Sequence, residues 1–389
     1  MNVVGIIAEF NPFHSGHAHL IHRAKEITGS EYAVVVMNGS FVQRGEPAVF
    51  SKYHRTRAAL EGGADLVLEL PVRFGISSAG DFALGGVMAL SSLGFVTHLA
   101  FGSEEGEIGP FQEAASALSQ ESEEFRRILS CALREGLPYP AARAQALAET
   151  SSIPLSLQEQ PNNILGVEYC LALKKLRSPL IPVTIPRTGM GYHDRAGTGG
   201  AAQAEHPSAT ALRERIRQDG SPHLTLEDLG SALDYALLKS TDLSQYKDIS
   251  PELARRMRRC LWNHRTIQEL IQRCRTRAFT DGRIRRGLMQ CLLGITAAAP
   301  SMPYLRLLGL RKEPAEKGVS SLLSQTTDSC QILSRLAADV KKLSPGALSL
   351  FQQDLFASEL YRQTWCRKYG VHLPNEYQRS PVIIAQWRH

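Results

Sequence analysis

A doubly wound α/β domain built on a parallel sheet, followed by a mainly helical region, is the architecture predicted here on three observations. Short, continuous apolar runs alternate with segments of helical period over roughly the first hundred residues. The motif His14-Ser15-Gly16-His17 falls at the junction between the first run and the first helical segment. After Thr225 the alternation stops and helical period takes over.

In chain order, Val3–Ala8 is an apolar run of strand length, and His17–Thr28 carries Ala18, Ile21, Ala24 and Ile27 at helical spacing. Tyr32–Met37 is apolar again, giving strand, helix, strand. Lys52–Glu61 reads as a helix, Asp65–Leu70 as a strand ended by Pro71, Ala83–Leu93 as a helix and Thr97–Phe101 as a strand. Uninterrupted apolar strands joined through helices belong to a parallel sheet covered on both faces. Glu113–Glu135 and Asn162–Leu176 read as helices, with a strand at Leu180–Ile185. Residues 189–204 hold five glycines, a composition expected of a mobile loop beside a site. Leu226–Leu238 is helical, Ser250-Pro251 opens another helix as N-cap and first helical residue, and a further helix follows Asp281. The domain change is set near 220, giving 1–220 and 221–389.

A chain of 389 residues exceeds what one hydrophobic core usually organises. Its 43% hydrophobic and 21% charged residues are ordinary for a globular protein. No eighteen apolar residues run together, which argues against a membrane span. Met1–Phe10 lacks the basic leader of an export signal. The seven cysteines are nowhere closer than fourteen positions, so Cys-x-x-Cys metal or redox motifs are excluded. Reduced thiols and a cytoplasmic location are expected. Between Pro251 and Cys291 eleven arginines face three acidic residues, a net +8. The whole chain is +6, which leaves −2 elsewhere and points to one surface that meets a polyanion.

The chemistry concentrates in Phe10-Asn11-Pro12-Phe13-His14-Ser15-Gly16-His17, between the first strand and first helix. Nucleotides bind at the carboxyl ends of parallel strands, where the next helix offers unpaired N–H groups and a positive dipole to phosphate. Gly16 permits close approach to an anion. His14 and His17, the candidate catalytic residues, can donate to phosphate oxygens where charge builds during attack on the α-phosphate. The sequence resembles the nucleotidylyltransferase superfamily, whose mark is a His/Thr-x-Gly-His at this junction. A second superfamily motif, Ser-Ser-Thr-x-hydrophobic-Arg, has its counterpart in Ser208-Ala209-Thr210-Ala211-Leu212-Arg213, with alanine for the second serine. Two hydroxyls and an arginine leading into a helix make an anion clamp; the alternative is a capped surface helix with a solvated arginine.

Longer blocks carry a narrower resemblance that covers almost the whole chain. They are Glu9 to His17, Met37-Asn38-Gly39-Ser40-Phe41-Val42-Gln43-Arg44-Gly45-Glu46-Pro47-Ala48, Gly63 to Pro71, Phe101-Gly102-Ser103-Glu104, Gln160 to Gly166 and Arg187 to Asp194. On these the chain resembles the bacterial tRNA(Met) cytidine acetate ligases. The resemblance implies an enzyme that joins acetate to ATP as acetyl-adenylate and passes the acetyl group to N4 of the wobble cytidine of elongator tRNA(Met). ATP, acetate and tRNA are the expected partners, with magnesium on the phosphates and no dedicated protein cage for it.

The expected ATP contacts are Ile7, Ala8, Glu9, Phe10, Asn11, Pro12, Phe13, His14, Ser15, Gly16 and His17, then Gly102, Asn162, Asn163, Arg187, Ser208, Thr210 and Arg213. Gly102, without a Cβ, lets adenine or ribose lie against a strand end. Asn162 and Asn163 either cap a helix or bond a ribose or acyl oxygen. Arg187 neutralises phosphate or is an exposed loop arginine, and Arg44 contacts nucleotide or tRNA or forms a structural salt bridge. Lys52 and Arg55 to Arg57 read as a solvated helix face.

For tRNA the candidates are Arg255, Arg256, Arg258, Arg259, Arg273, Arg275 and Arg277, with Trp262 and His264 to stack on an unpaired base. A solvated charged face is the alternative. Two other functions stay open from the residues alone: a small-molecule nucleotidylyltransferase that releases pyrophosphate, and an RNA-binding protein with a vestigial nucleotide site.

Overall fold

The computed structural model describes residues 1–151, 153, 156–187, 208–297, 301–312, 319–323 and 330–385. Five strands form the parallel part of the sheet: β1 (Val3–Ala8), β2 (Tyr32–Asn38), β5 (Leu66–Leu70), β6 (His98–Ser103) and β7 (Ile181–Pro186). Two short strands, β3 (Phe41–Val42) and β4 (Glu46–Pro47), make an antiparallel hairpin of their own. β1 lies between β2 and β6, with β5 beyond β2 and β7 beyond β6.

Side chains of successive strand residues go to opposite faces, and the core follows that rule. Val34 and Val36 join one apolar cluster with residues of the helices Ala79–Ser92, Ile108–Ser119 and Pro161–Leu176. Ala33, Val35 and Met37 join another with Ile21 and Ala24 of the helix Ser15–Thr28 and Ala59 and Leu60 of Lys52–Glu61. This is the doubly wound arrangement expected. Burying one Val or Leu fully contributes roughly 1.5–3 kcal/mol, so these strands are held mainly by both covered faces.

The region after 220 is mainly helical, but it also returns to the sheet. β8 (Tyr304–Lys312) runs antiparallel beside β5, and β9 (Gln331–Leu333) and β10 (Val382–Ala385) pair parallel with β8. The residue pattern does not reveal these three strands, because Arg306 breaks the apolar run of β8 and β9 has only three residues. A separate apolar cluster joins the helices Gly230–Lys239, Pro251–Leu261, Ile267–Cys274 and Asp281–Leu293. Phe41, Val72, Ile76 and Tyr361 belong to it too, so this cluster is seated on the hairpin and on the turn after β5.

Three local expectations are corrected. Glu113–Glu135 is two helices, Ile108–Ser119 and Glu123–Arg134, because Ser122 accepts from Phe125 N and caps the second. Leu226–Leu238 is a 3₁₀ turn, Leu226–Leu229, followed by the helix Gly230–Lys239. Lys52 and Arg55 are not solvated but buried. Lys52 Nζ lies 2.8 Å from both Glu69 oxygens and from Ser358 Oγ, and burial brings its pKa down to about 8. Arg55 donates to the carbonyls of Glu9 (2.7 Å), Asn38 (3.0 Å), Gly39 and Phe50 (3.1 Å), and burial lowers it to about 10. A buried cation is tolerated when its donors are filled, and Arg55 uses them to tie together the carboxyl ends of β1 and β2. The glycine-rich stretch 189–204 lies outside the described residues.

Candidate active site

The chain leaves β1 at Ala8 and turns through Phe10, which holds a left-handed φ of 46°. A non-glycine residue there is strained by about 1–3 kcal/mol, a conformation that packing has to enforce. Phe10 is buried, with its ring centroid 4.9 Å from that of Phe13 and 4.8 Å from that of His17.

His14 then caps the helix Ser15–Thr28 with extended backbone. Its Nδ1 accepts from Gly16 N at 3.1 Å, while His17 Nδ1 accepts from His14 N at 3.3 Å. The two rings stack with centroids 3.8 Å apart. In a neutral imidazole whose Nδ1 accepts, Nε2 carries the proton, so each ring is set as a neutral N–H donor. Burial first, then the electrostatic interaction with the His14 ring and with Arg187, hold the His17 pKa well below its ordinary value. Protonation of His17 is therefore disfavoured near neutral pH.

Beside this loop lies a cavity of about 390 Å³ lined by Ile7, Ala8, Glu9, Phe10, Asn11, His14 and His17. Gly102, Asn162, Arg187, Ser208, Thr210 and Arg213 line it as well, so thirteen of the residues expected to touch ATP come together from segments as far apart in the chain as Ile7 and Arg213. Arg213 donates through Nη1 to Asn11 O at 2.8 Å and through Nη2 to Thr210 Oγ1 at 2.9 Å, which ties the helix Ala209–Gln218 to the histidine loop. Burial, and after it the charge of Arg44, lowers the Arg213 pKa. Ser208 Oγ accepts from Ala211 N and caps that helix.

Five residues expected to touch ATP are not on the cavity wall: Pro12, Phe13, Ser15, Gly16 and Asn163. The Gly16 N–H is engaged by His14. Asn163 is buried and its Oδ1 accepts from Glu104 N (2.9 Å) and Glu105 N (3.2 Å), so it holds a turn. Asn162 donates to Glu104 Oε1, and the same oxygen stands 3.9 Å from Arg187 Nε. Residues outside the expected set also line the cavity, among them Gln43, Phe82, Phe101, Ile164, Leu165 and Tyr169. Gln43, Phe101, Ile164 and Leu165 stand out in the sequence only as parts of their motif blocks, and Phe82 and Tyr169 sit on helices, where they read as core from spacing alone.

The arginine-rich tract divides. Arg256 donates to Cys274 O (2.7 Å) and Arg273 O (3.0 Å), and Arg258 to Leu237 O (2.9 Å) and Ser240 O. These two half-buried guanidinia satisfy the last carbonyls of neighbouring helices. His264 is likewise engaged, by Leu261 O and Asp234 Oδ1 at 2.9 Å each, and cannot stack as expected. Arg285 pairs with Glu46, and Arg286 with Asp248 at 2.7 Å. Arg255, Arg273 and Arg275 are exposed beside Glu252 (3.6 Å), Glu269 (2.6 Å) and Asp281 (3.4 Å). Arg259, Arg265 and Arg277 are exposed and make no ion pair among the described residues. Trp262, between two of them, is 75% exposed.

A family model of HIGH nucleotidyl transferases matches residues 1–372. A tRNA(Met) cytidine acetate ligase of Caldicellulosiruptor saccharolyticus is 31% identical over 411 residues, spanning 99% of this chain and 99% of that one. The chain belongs to the tRNA(Met) cytidine acetate ligase family. The ligase of that name from Acetivibrio thermocellus is 32% identical and spans 99% of this chain and 100% of its own. Among solved ligase structures, Thermotoga maritima TmcAL bound with alpha-thio ATP superposes with a TM-score of 0.84 at 27% identity, over 99% of this chain and 100% of that one. The apo form of the same ligase gives 0.86.

Proposed function

We propose that this chain activates acetate with ATP and transfers the acetyl group to N4 of the wobble cytidine of elongator tRNA(Met). The observation that carries the first step is the cavity at the end of β1 that His14, His17 and Arg213 line together, with both histidines holding Nδ1 on backbone N–H groups and Arg213 bonded to Asn11 O. An acetate oxygen attacks the α-phosphorus in line, the bond to the bridging oxygen breaks, and pyrophosphate leaves. Donors fixed before the reaction stabilise the charge that develops there and need no rearrangement. The names of the relatives support acetate and tRNA(Met).

Magnesium enters on the nucleotide's phosphates. Among the described residues, the cavity wall offers one carboxylate, Glu9, and no group of three His, Cys, Asp or Glu side chains stands together to hold an ion. The division near 220 assigns the ATP chemistry to 1–220 and tRNA binding to 221–389, where Arg259, Arg265 and Arg277 stand exposed. We place the reaction in the cytoplasm; all seven cysteines are free thiols, and no helix among the described residues is long and apolar enough to cross a membrane.

Exchange of labelled pyrophosphate into ATP tests the first step, and mass spectrometry for N4-acetylcytidine in tRNA(Met) the second. Exchange that requires acetate is expected. Exchange that proceeds equally without it would return the chain to the small-molecule nucleotidylyltransferases.

A further inference from the structure

Transfer to an exocyclic amine releases a proton, and the groups around the cavity differ sharply in their ability to take it. Both histidines offer N–H at Nε2 and have Nδ1 engaged by the backbone. Arg44, Arg187 and Arg213 are cations. Tyr169 keeps its proton, because burial and the nearby charge of Glu9 push its phenol far above the usual range. Glu9 is the one carboxylate among the described residues that line the cavity.

Its position is built. Glu9 Oε1 accepts from Gln43 N at 2.6 Å and from Asn38 Nδ2 at 3.2 Å, and its backbone carbonyl is clamped by Arg55 at 2.7 Å. Oε2 has no hydrogen-bond partner among the described residues. A carboxylate beside a polyphosphate raises the electrostatic cost of binding it, so its placement there calls for a chemical task.

We propose that Glu9 is the proton acceptor for acetyl transfer, an assignment that rests on the acetyl-adenylate reading above. The N4 nitrogen of cytidine forms a bond to the acetyl carbon, and the bond from that carbon to the phosphate oxygen breaks. The oxygen leaves with its electron pair on AMP, and the N4 proton passes to Glu9 Oε2 and then to water.

Glu9→Gln keeps the oxygen that accepts from Gln43 N and removes the base. Two products are compared in this variant: acetylated tRNA(Met), in single turnover after mixing with preformed enzyme-bound acetyl-adenylate, and acetyl hydroxamate, formed when hydroxylamine traps the adenylate. Hydroxylamine is a strong nucleophile that does not need an enzymic base. Transfer to tRNA should fall about 100-fold or more relative to hydroxamate formation, the scale expected for loss of general-base catalysis. The loss should lie in kcat, not in KM for tRNA, and Glu9→Asp should recover part of it. Equal loss of both products would assign Glu9 to nucleotide or magnesium binding and overturn the proposal, as would undiminished transfer or an Asp variant no better than Gln. Absence of hydroxamate from the wild-type enzyme is a different failure: it would sink the acetyl-adenylate reading itself.

Discussion

Each site histidine engages its Nδ1 with a backbone N–H of its own loop, which makes the pair rigid neutral donors and gives His17 two measurable signatures. His17→Ala should leave the fold intact and slow acetate-dependent exchange about 100-fold or more, the effect of losing one preorganised donor; unchanged exchange in a folded variant would refute the role. The second signature is in stability. The folded pKa of His17 lies below its ordinary value near 6.5, so its contribution is fully present above 6.5 and is lost as pH falls towards the folded pKa. Urea unfolding at pH 7 and pH 5 should therefore show a smaller acid loss in His17→Gln than in wild type. That His14 and His17 line the cavity was legible from their place in a strand–loop–helix order, and that Arg213 joins them from the hydroxyl-and-arginine motif leading into a helix. Arg55 was not: spacing shows that a helix has a basic residue, but not that this one lies under the ends of two strands.

Among the elements, the β3–β4 hairpin does more than its two-residue strands suggest. Gln43 N holds Glu9, Gly45 sits against the helix Asp281–Leu293, and Glu46 pairs with Arg285 of that helix and lies 3.8 Å from Arg217 of Ala209–Gln218. Gly45 has φ +74°, and a Cβ there would stand 2.5 Å from the backbone of Arg285 and Arg286. Gly45→Ala should thus destabilise by more than about 1 kcal/mol and raise the KM for ATP, whereas Gly346→Ala, with open space around it, should stay within about 0.5 kcal/mol. Thermal melts and exchange kinetics would read both. Strands of two residues fall below any periodicity, so this hairpin was visible only as a motif. The strands β1, β2, β5 and β6 were legible, since burial on both faces leaves them largely apolar.

For the molecule as a whole, the +8 tract is half fastening and half surface. Replacing Arg259, Arg265 and Arg277 with glutamine should weaken tRNA(Met) binding and flatten its salt dependence by about 0.7–0.9 for each phosphate no longer neutralised, with exchange measured without tRNA retained. Arg258→Gln should instead cost about 1–3 kcal/mol of folding stability, because its guanidinium holds two helix-end carbonyls. Filter-binding titrations across salt and denaturant melts separate the two outcomes, and intact tRNA affinity in the triple variant would make those arginines mere solvated charge. Composition carries the tract's charge; only the folded chain shows which arginines point outward. The hairpin stands between this tract and the nucleotide cavity, touching both. Thermodynamic linkage then sets a symmetry on the enzyme: whatever factor a bound nucleotide applies to tRNA affinity by shifting that hairpin, bound tRNA applies the same factor to the nucleotide.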